Sequence, residues 1–200
     1  APAAERLFRM LCALMGQAWN ASDVGRSFGV THTTVNTYVD VFEGAFLVRR
    51  LRPYLPNLSK RLTKRPRLFI RDTGLLHATQ LVNDLDDLVG RPWVGASWEG
   101  FVIEQVIGCL QQQGRPFEPW FFRTSDGYEL DLLVDFGSEK LAIEVKLTTA
   151  PRLQAVRQLK RAAELVGATQ SFLISRTAEP VTDGELWSCR LEHLIDYLTR

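Results

Sequence analysis

The stretch Tyr128–Leu147, YELDLLVDFGSEKLAIEVKL, decides how the second half of the chain folds. Two apolar runs flank a short polar break, which predicts a strand over Tyr128–Asp135, a turn, and a strand over Leu141–Leu147. Side chains alternate across a strand, so Ile143 and Val145 share one face while Glu144 and Lys146 share the other. In the first strand Leu130, Leu132 and Val134 form the apolar set and leave Glu129, Asp131 and Asp135 opposite. Two acids and a lysine then converge, provided the register is right, because a slip of one residue sends Asp131 to the far face. A loop over 136–139 sets Asp131 across from Glu144, and a loop over 137–140 sets it across from Lys146. A five-residue loop over 136–140 sets it across from Val145 and separates the acids.

That grouping has a chemical meaning. Hard divalent cations such as Mg2+ or Mn2+ take oxygen ligands and keep some of their waters. Asp131, Glu144 and the Val145 carbonyl suit such an ion and leave places for water and a phosphate oxygen. The ion polarises the phosphate and lowers the pKa of the attacking water. Lys146 then orients that water or neutralises charge developing at phosphorus. Glu99, near the start of the preceding helix, either joins the metal or positions one of its ligands.

Working outward, Ser97 reads as the cap of a helix through Phe101, Val102, Val106 and Leu110 that ends at Gly114. Trp120-Phe121-Phe122 is a strand, and Ser125-Asp126-Gly127 turns the chain into the decisive hairpin. Pro151 and Gly167 bracket a second helix, Ser171–Ser175 forms a fourth strand, and a helix closes the domain. The order is αβββαβ, in a domain spanning 95–200. Residues 76–94, with Asp84, Asp86 and Asp87, read as a linker surface.

Residues 1–75 have a different pattern. Leu7, Leu11, Leu14 and Ala18 recur at helical spacing within a first amphipathic helix. Asn20 or Ser22 caps a short helix ending near Phe28, and Thr31 caps another that runs to about Gly44. Val24 and Phe28 face inward from the first, and Val35, Tyr38, Val39 and Phe42 from the second. Gly25 is the small residue that lets the two helices cross closely. His32, Thr33, Asn36 and Thr37 stay on the outer face, where a recognition helix reads base edges. Strands over Phe46–Val48 and Leu68–Ile70 enclose a Pro53 and Pro56 loop, which reads as a wing. The expected architecture is therefore α+β, an N-terminal winged helix-turn-helix followed by a mixed-sheet domain.

The formal charge of +1 hides an asymmetry. Arg49–Arg71 holds nine of the 24 bases and no acid, which leaves 15 bases against 23 acids elsewhere. Such a run points to a polyanion or an acidic partner. Lys60, Arg61, Lys64 and Arg65 are the wing residues placed to meet DNA phosphates. Winged helices also dock proteins, and the short uncharged side chains on the outer face leave both roles open.

With 46% hydrophobic residues and no apolar run long enough to span a bilayer, a soluble protein without a membrane partner is expected. Cys12, Cys109 and Cys189 are odd in number and far apart, which fits buried thiols in a reducing cytoplasm. His32, His77 and His193 lack metal-ligand spacing. The chain opens Ala1-Pro2, so a piece of a longer protein is expected.

Four motifs carry a family resemblance: Leu68-Phe69-Ile70-Arg71-Asp72-Thr73-Gly74-Leu75, Trp98-Glu99-Gly100-Phe101-Val102, Tyr128-Glu129-Leu130-Asp131 and Ile143-Glu144-Val145-Lys146. With them the chain resembles the C-terminal region of prokaryotic AAA-type ATPases, in which a winged helix precedes a PD-(D/E)XK nuclease-like domain of the restriction-endonuclease type. The resemblance implies that Glu99, Asp131, Glu144 and Lys146 match active-site positions, that Gln158 matches an accessory one, and that Mg2+ is the cofactor. Gln105, with Glu104 beside it, stands where that group commonly has a second Glu. It also implies an upstream ATPase domain as partner, and it is compatible with either a nuclease or an inactive nuclease-like fold. No Gly-x-x-x-x-Gly-Lys-Ser/Thr loop occurs in the 200 residues, so no ATP site of that kind is present here.

Overall fold

A computed structural model describes residues 2–56 and 62–199, a mixed α+β chain in two compact units. The first comprises Ala1–Leu51 with Arg65–Phe101, and the second Arg52–Lys64 with Val102–Arg200.

In the first unit, α1 (Pro2–Cys12) buries Leu7, Leu11 and Cys12, while Leu14 and Ala18 fall beyond its end. The Asn20 side chain accepts the Ser22 N–H and starts α2 (Ala21–Phe28), which Gly29 stops with φ 78°. Thr31 caps α3 (His32–Gly44) by accepting the Thr34 N–H, and Val35, Val39 and Phe42 form its buried stripe. A Cβ on Gly25 would lie 2.7 Å from the Val30 carbonyl oxygen, so the turn between α2 and α3 requires glycine there. Phe46 takes a left-handed φ of 59° and turns the chain out of α3. Strand β1 (Val48–Pro53) therefore starts two residues later than expected, and its first four residues pair antiparallel with β2 (Arg67–Ile70).

Residues 76–94 are not the expected linker; most are helical and belong to the first unit. Acids start the helices here: Asp72, just before the segment, caps α4 (Thr73–Thr79), Asp84 caps α5 (Leu85–Gly90), and Asp86 and Asp87 occupy the first turn of α5, where the helix dipole favours negative charge. Helix α6 (Val94–Gln113) begins before Ser97, whose N–H already bonds to the Trp93 carbonyl. Ser97 is thus not a cap. It is buried inside α6, with Oγ 2.8 Å from His77 Nε2.

In the second unit, β3 (Glu118–Arg123), β4 (Glu129–Asp135) and β5 (Lys140–Val145) form an antiparallel meander. Helix α7 (Leu153–Val166) then crosses over to β6 (Gln170–Ile174), which pairs parallel with β5, as a connection of this length allows. The end of β1 adds Arg52 and Pro53 in parallel to β3. Beyond the expected order lie β7 (Val181–Thr182) and β8 (Leu186–Cys189), the latter parallel to β6, before α8 (Leu191–Leu198). Leu133, Ala142 and Leu173 pack with Leu159, Ala162, Ala163 and Val166 of α7. Strands β4 and β5 are buried along nearly their whole length, as strands covered on both faces are.

Candidate functional site: a buried carboxylate pair beside a basic groove

The β4–β5 hairpin pairs Leu132 with Ile143 and Asp135 with Lys140. The loop is thus 136–139, closed by the Phe136 N–H donating to Glu139 O at 3.0 Å; the recorded pairing ends at Leu132–Ile143, and Asp131 lies close enough to Glu144 for its charge to act on that carboxyl. The other edge of β4 is irregular. Trp120 of β3 lies opposite Leu133 and Phe122 opposite Leu130, so Asp131 and Leu132 together face Phe121 alone. This bulge breaks strict alternation. Leu130 and Leu133 consequently join one core cluster, and the expected apolar face of Leu130, Leu132 and Val134 does not form as a single row.

Asp131 and Glu144 are only 5% and 6% exposed. Asp131 Oδ2 accepts the Val145 N–H at 2.9 Å, which fixes that carboxylate against the start of the Val145-Lys146 segment. Lys146 Nζ donates to Glu144 Oε1, while the buried Glu144 Oε2 has no hydrogen-bond partner among the described residues. Burial, and then the Asp131 charge, push the Glu144 carboxyl well above the usual carboxylate range, against the pull of Lys146. For Lys146, burial works to lower its pKa, but Glu144 outweighs it and the ammonium is held more firmly than usual. Glu129 adds negative charge to the set and pairs with Arg123 at 3.6 Å.

On its other side Lys146 lines a groove of about 450 Å³. Thr148, Arg152, Gln154 and Gln158 contribute its polar lining, over apolar surface from Leu147, Pro151 and Ala155. No carboxylate is among the lining residues. Sequence reasoning singled out Gln158 here and missed Arg152 and Thr148, which only the turn into α7 brings beside Lys146.

Glu99 falls in the first unit, where Arg67 grips it with contacts of 2.5 Å (Nη1–Oε1) and 2.9 Å (Nη2–Oε2). Among the described residues no three His, Cys, Asp or Glu side chains are grouped to hold a metal.

His32, Thr33 and Thr37 are exposed on α3, as the pattern required, and Asn36 is half-buried, accepting a 3.4 Å bond from Trp19 Nε1. Lys64 and Arg65 are exposed, and Lys60 and Arg61 lie outside the described residues. Part of the basic run is neutralised internally: Arg50 pairs with Asp40 and Glu43 of α3, Arg67 with Glu99, and Arg71 stacks 5.1 Å from the Phe46 ring centroid.

Together these features describe a mixed α+β protein with a buried Asp–Glu pair and a lysine that lines a groove. By comparison with known families, the chain belongs to the domain of unknown function DUF4143, which matches residues 94–194; the domain of unknown function DUF8612 matches residues 1–86. It is 35% identical over 183 residues to the uncharacterized proteins Mb2031c of Mycobacterium bovis and Rv2008c of Mycobacterium tuberculosis, covering 88% of this chain and 41% of each relative. The chain thus spans about two fifths of the length of these curated relatives. No solved structure matches it. No described helix is long and apolar enough to cross a membrane.

Proposed function

We propose that the second unit is a PD-(D/E)XK nuclease-like domain that hydrolyses phosphodiester bonds in DNA with Mg2+ or Mn2+. We propose also that the first unit is a winged helix-turn-helix that engages DNA, and that both belong to the C-terminal part of a cytoplasmic AAA-type ATPase. The observation that carries the enzyme reading is the buried Glu144 Oε2, without a partner among the described residues and within reach of the Asp131 charge. Two like charges held out of water favour a counter-cation, and Mg2+ commonly takes only one or two protein carboxylates and keeps its waters. The donor set therefore fits the ion without a third acid.

In this reading Asp131, steadied by the Val145 N–H, and Glu144, with its spare buried oxygen, would hold the cation. When bound, it supplies Lewis-acid polarisation of the phosphate and a water of lowered pKa. Lys146 places a positive charge where negative charge develops at phosphorus, and Gln158 donates to a strand lying in the groove. The test is Mn2+- or Mg2+-dependent cleavage of duplex, branched and single-stranded DNA by the wild type, with Asp131→Ala and Lys146→Ala as controls. Cleavage lost in both variants supports the reading. A wild type that neither cuts nor binds Mn2+ overturns it.

The internal pairing of Arg50 and Arg67 favours a second reading of the first unit, as a docking module for the ATPase rather than a DNA reader. Salt dependence separates the two. A DNA reader loses affinity steeply with salt, with a log–log slope of about −0.9 for each phosphate neutralised. A docking module shows no such DNA affinity.

A further inference from the structure

We propose that the Lys146 ammonium stands in for the divalent cation at Glu144, and that a nucleotide phosphate entering the groove at Arg152 draws it away. Cation and phosphate would then bind with positive coupling. The inference rests on the metal reading above and adds what controls access to it.

Three observations carry it. First, Lys146 engages only one oxygen of Glu144; the other is buried and unpartnered, so the carboxylate keeps capacity for a small cation that the ammonium does not use. Second, the two partners differ in freedom. The Glu144 side chain is 7% exposed and the Lys146 side chain 40%, while the Lys146 backbone is pinned by its N–H donating to Ile174 O at 2.8 Å. The flexible four-carbon stem can therefore swing the ammonium without moving the strand. Asp131 stays bound to the Val145 N–H, so the lysine is the member that moves. Third, the same lysine lines the groove, whose other cation is Arg152 and whose lining holds no acid. That surface offers an anion two positive charges, and a phosphate there gives Lys146 a partner other than Glu144.

Lys146 and the metal compete for one carboxylate, so whatever engages the lysine elsewhere strengthens the metal, and linkage makes the effect reciprocal. The test is calorimetric titration of Mn2+ into the protein, with and without saturating thymidine 5′-monophosphate. Expected for the wild type is an Mn2+ affinity raised on the order of tenfold by the nucleotide. Lys146→Met should bind Mn2+ on the order of tenfold more tightly than wild type with no nucleotide present, and gain nothing further from it. Arg152→Gln should lose the coupling, and Lys146→Arg, which keeps the charge, should retain it. Unchanged or weaker Mn2+ binding by Lys146→Met overturns the proposal. So does coupling that survives in Lys146→Met, since the nucleotide then acts by ligating the ion directly. Mn2+ binding without coupling refutes this inference alone, whereas no Mn2+ binding by wild type and Lys146→Met alike refutes the metal reading with it.

Discussion

Replacing Glu99 by Gln separates a carboxylate that serves the fold of the first unit from one that serves chemistry. Its two contacts to Arg67 involve side chains only 12% and 17% exposed. Arg67 has other holds: Nε donates to Gly16 O at 2.8 Å, and its guanidinium carbon lies 5.1 Å from the Phe69 ring centroid. Removing one partner of a buried pair costs about 3–5 kcal/mol, because the other charge is left buried and uncompensated. The remaining holds on Arg67 place Glu99→Gln at the lower end, about 3 kcal/mol. At about 2–4 °C per kcal/mol for a protein of this size, the melting temperature should fall by roughly 6–12 °C. Arg67→Met should cost a comparable amount, and the double variant clearly less than the sum, since it removes both charges together. The assay is scanning calorimetry of the four proteins, with Mn2+ titration alongside. A Glu99→Gln protein that melts with the wild type but no longer binds Mn2+ would refute the structural role.

Proton binding at Glu144 gives a pH dependence. Its folded pKa is raised above the ordinary 4.5 by burial and Asp131, so the folded state binds that proton more tightly than the unfolded one. Its contribution to stability is thus lost as pH rises above 4.5 toward the raised value, and a cation, which binds the deprotonated form, offsets the loss. The Mn2+-induced rise in melting temperature should be larger at about pH 8 than at about pH 6, and an equal rise at both argues against ligation by Glu144. Gly25→Ala drives a methyl to 2.7 Å from Val30 O and should cost about 1–3 kcal/mol in urea unfolding; a neutral effect would mean the α2–α3 turn is looser than described. Burial pushes the Cys12 and Cys189 thiols up to about 11 and about 12, while Cys109 is half-buried. A thiol reagent near neutral pH should therefore label Cys109 first and reach the other two only on unfolding, as mass spectrometry can follow.

The fold was legible wherever one local rule acted alone. Asn20, Thr31 and Gly167 cap or stop helices where the pattern placed them, because a cap depends on a few neighbouring backbone groups. Errors arose where two readings of the same residues compete. Asp84, Asp86 and Asp87 look like a solvated linker by composition, yet one of them at an N-cap and two in a first turn suffice to start α5. Ser97 has the chemistry of a cap, but hydrogen bonds extending back to Trp93 and Arg91 start α6 earlier and bury it. Strand β8 is four residues long with no run of alternation, and its place beside β6 depends on partners remote in sequence.

The site divides in the same way. Asp131 and Glu144 lie on the two strands of one hairpin, and its 136–139 loop is one of the alternatives that 20 consecutive residues allowed. The bulge opposite Phe121 disturbs β4 toward β3, which explains why the single apolar row of Leu130, Leu132 and Val134 expected from strict alternation does not form. Ion-pair partners are chosen by topology instead. Arg67 finds Glu99 across 32 residues, and Arg50 finds Glu43 by folding back onto α3. A segment of nine bases with no acid of its own thus looked free for a polyanion, although acids from two helices had claimed part of its charge. Local parity reports which groups share a face, whereas the net charge available to a partner depends on long-range pairing.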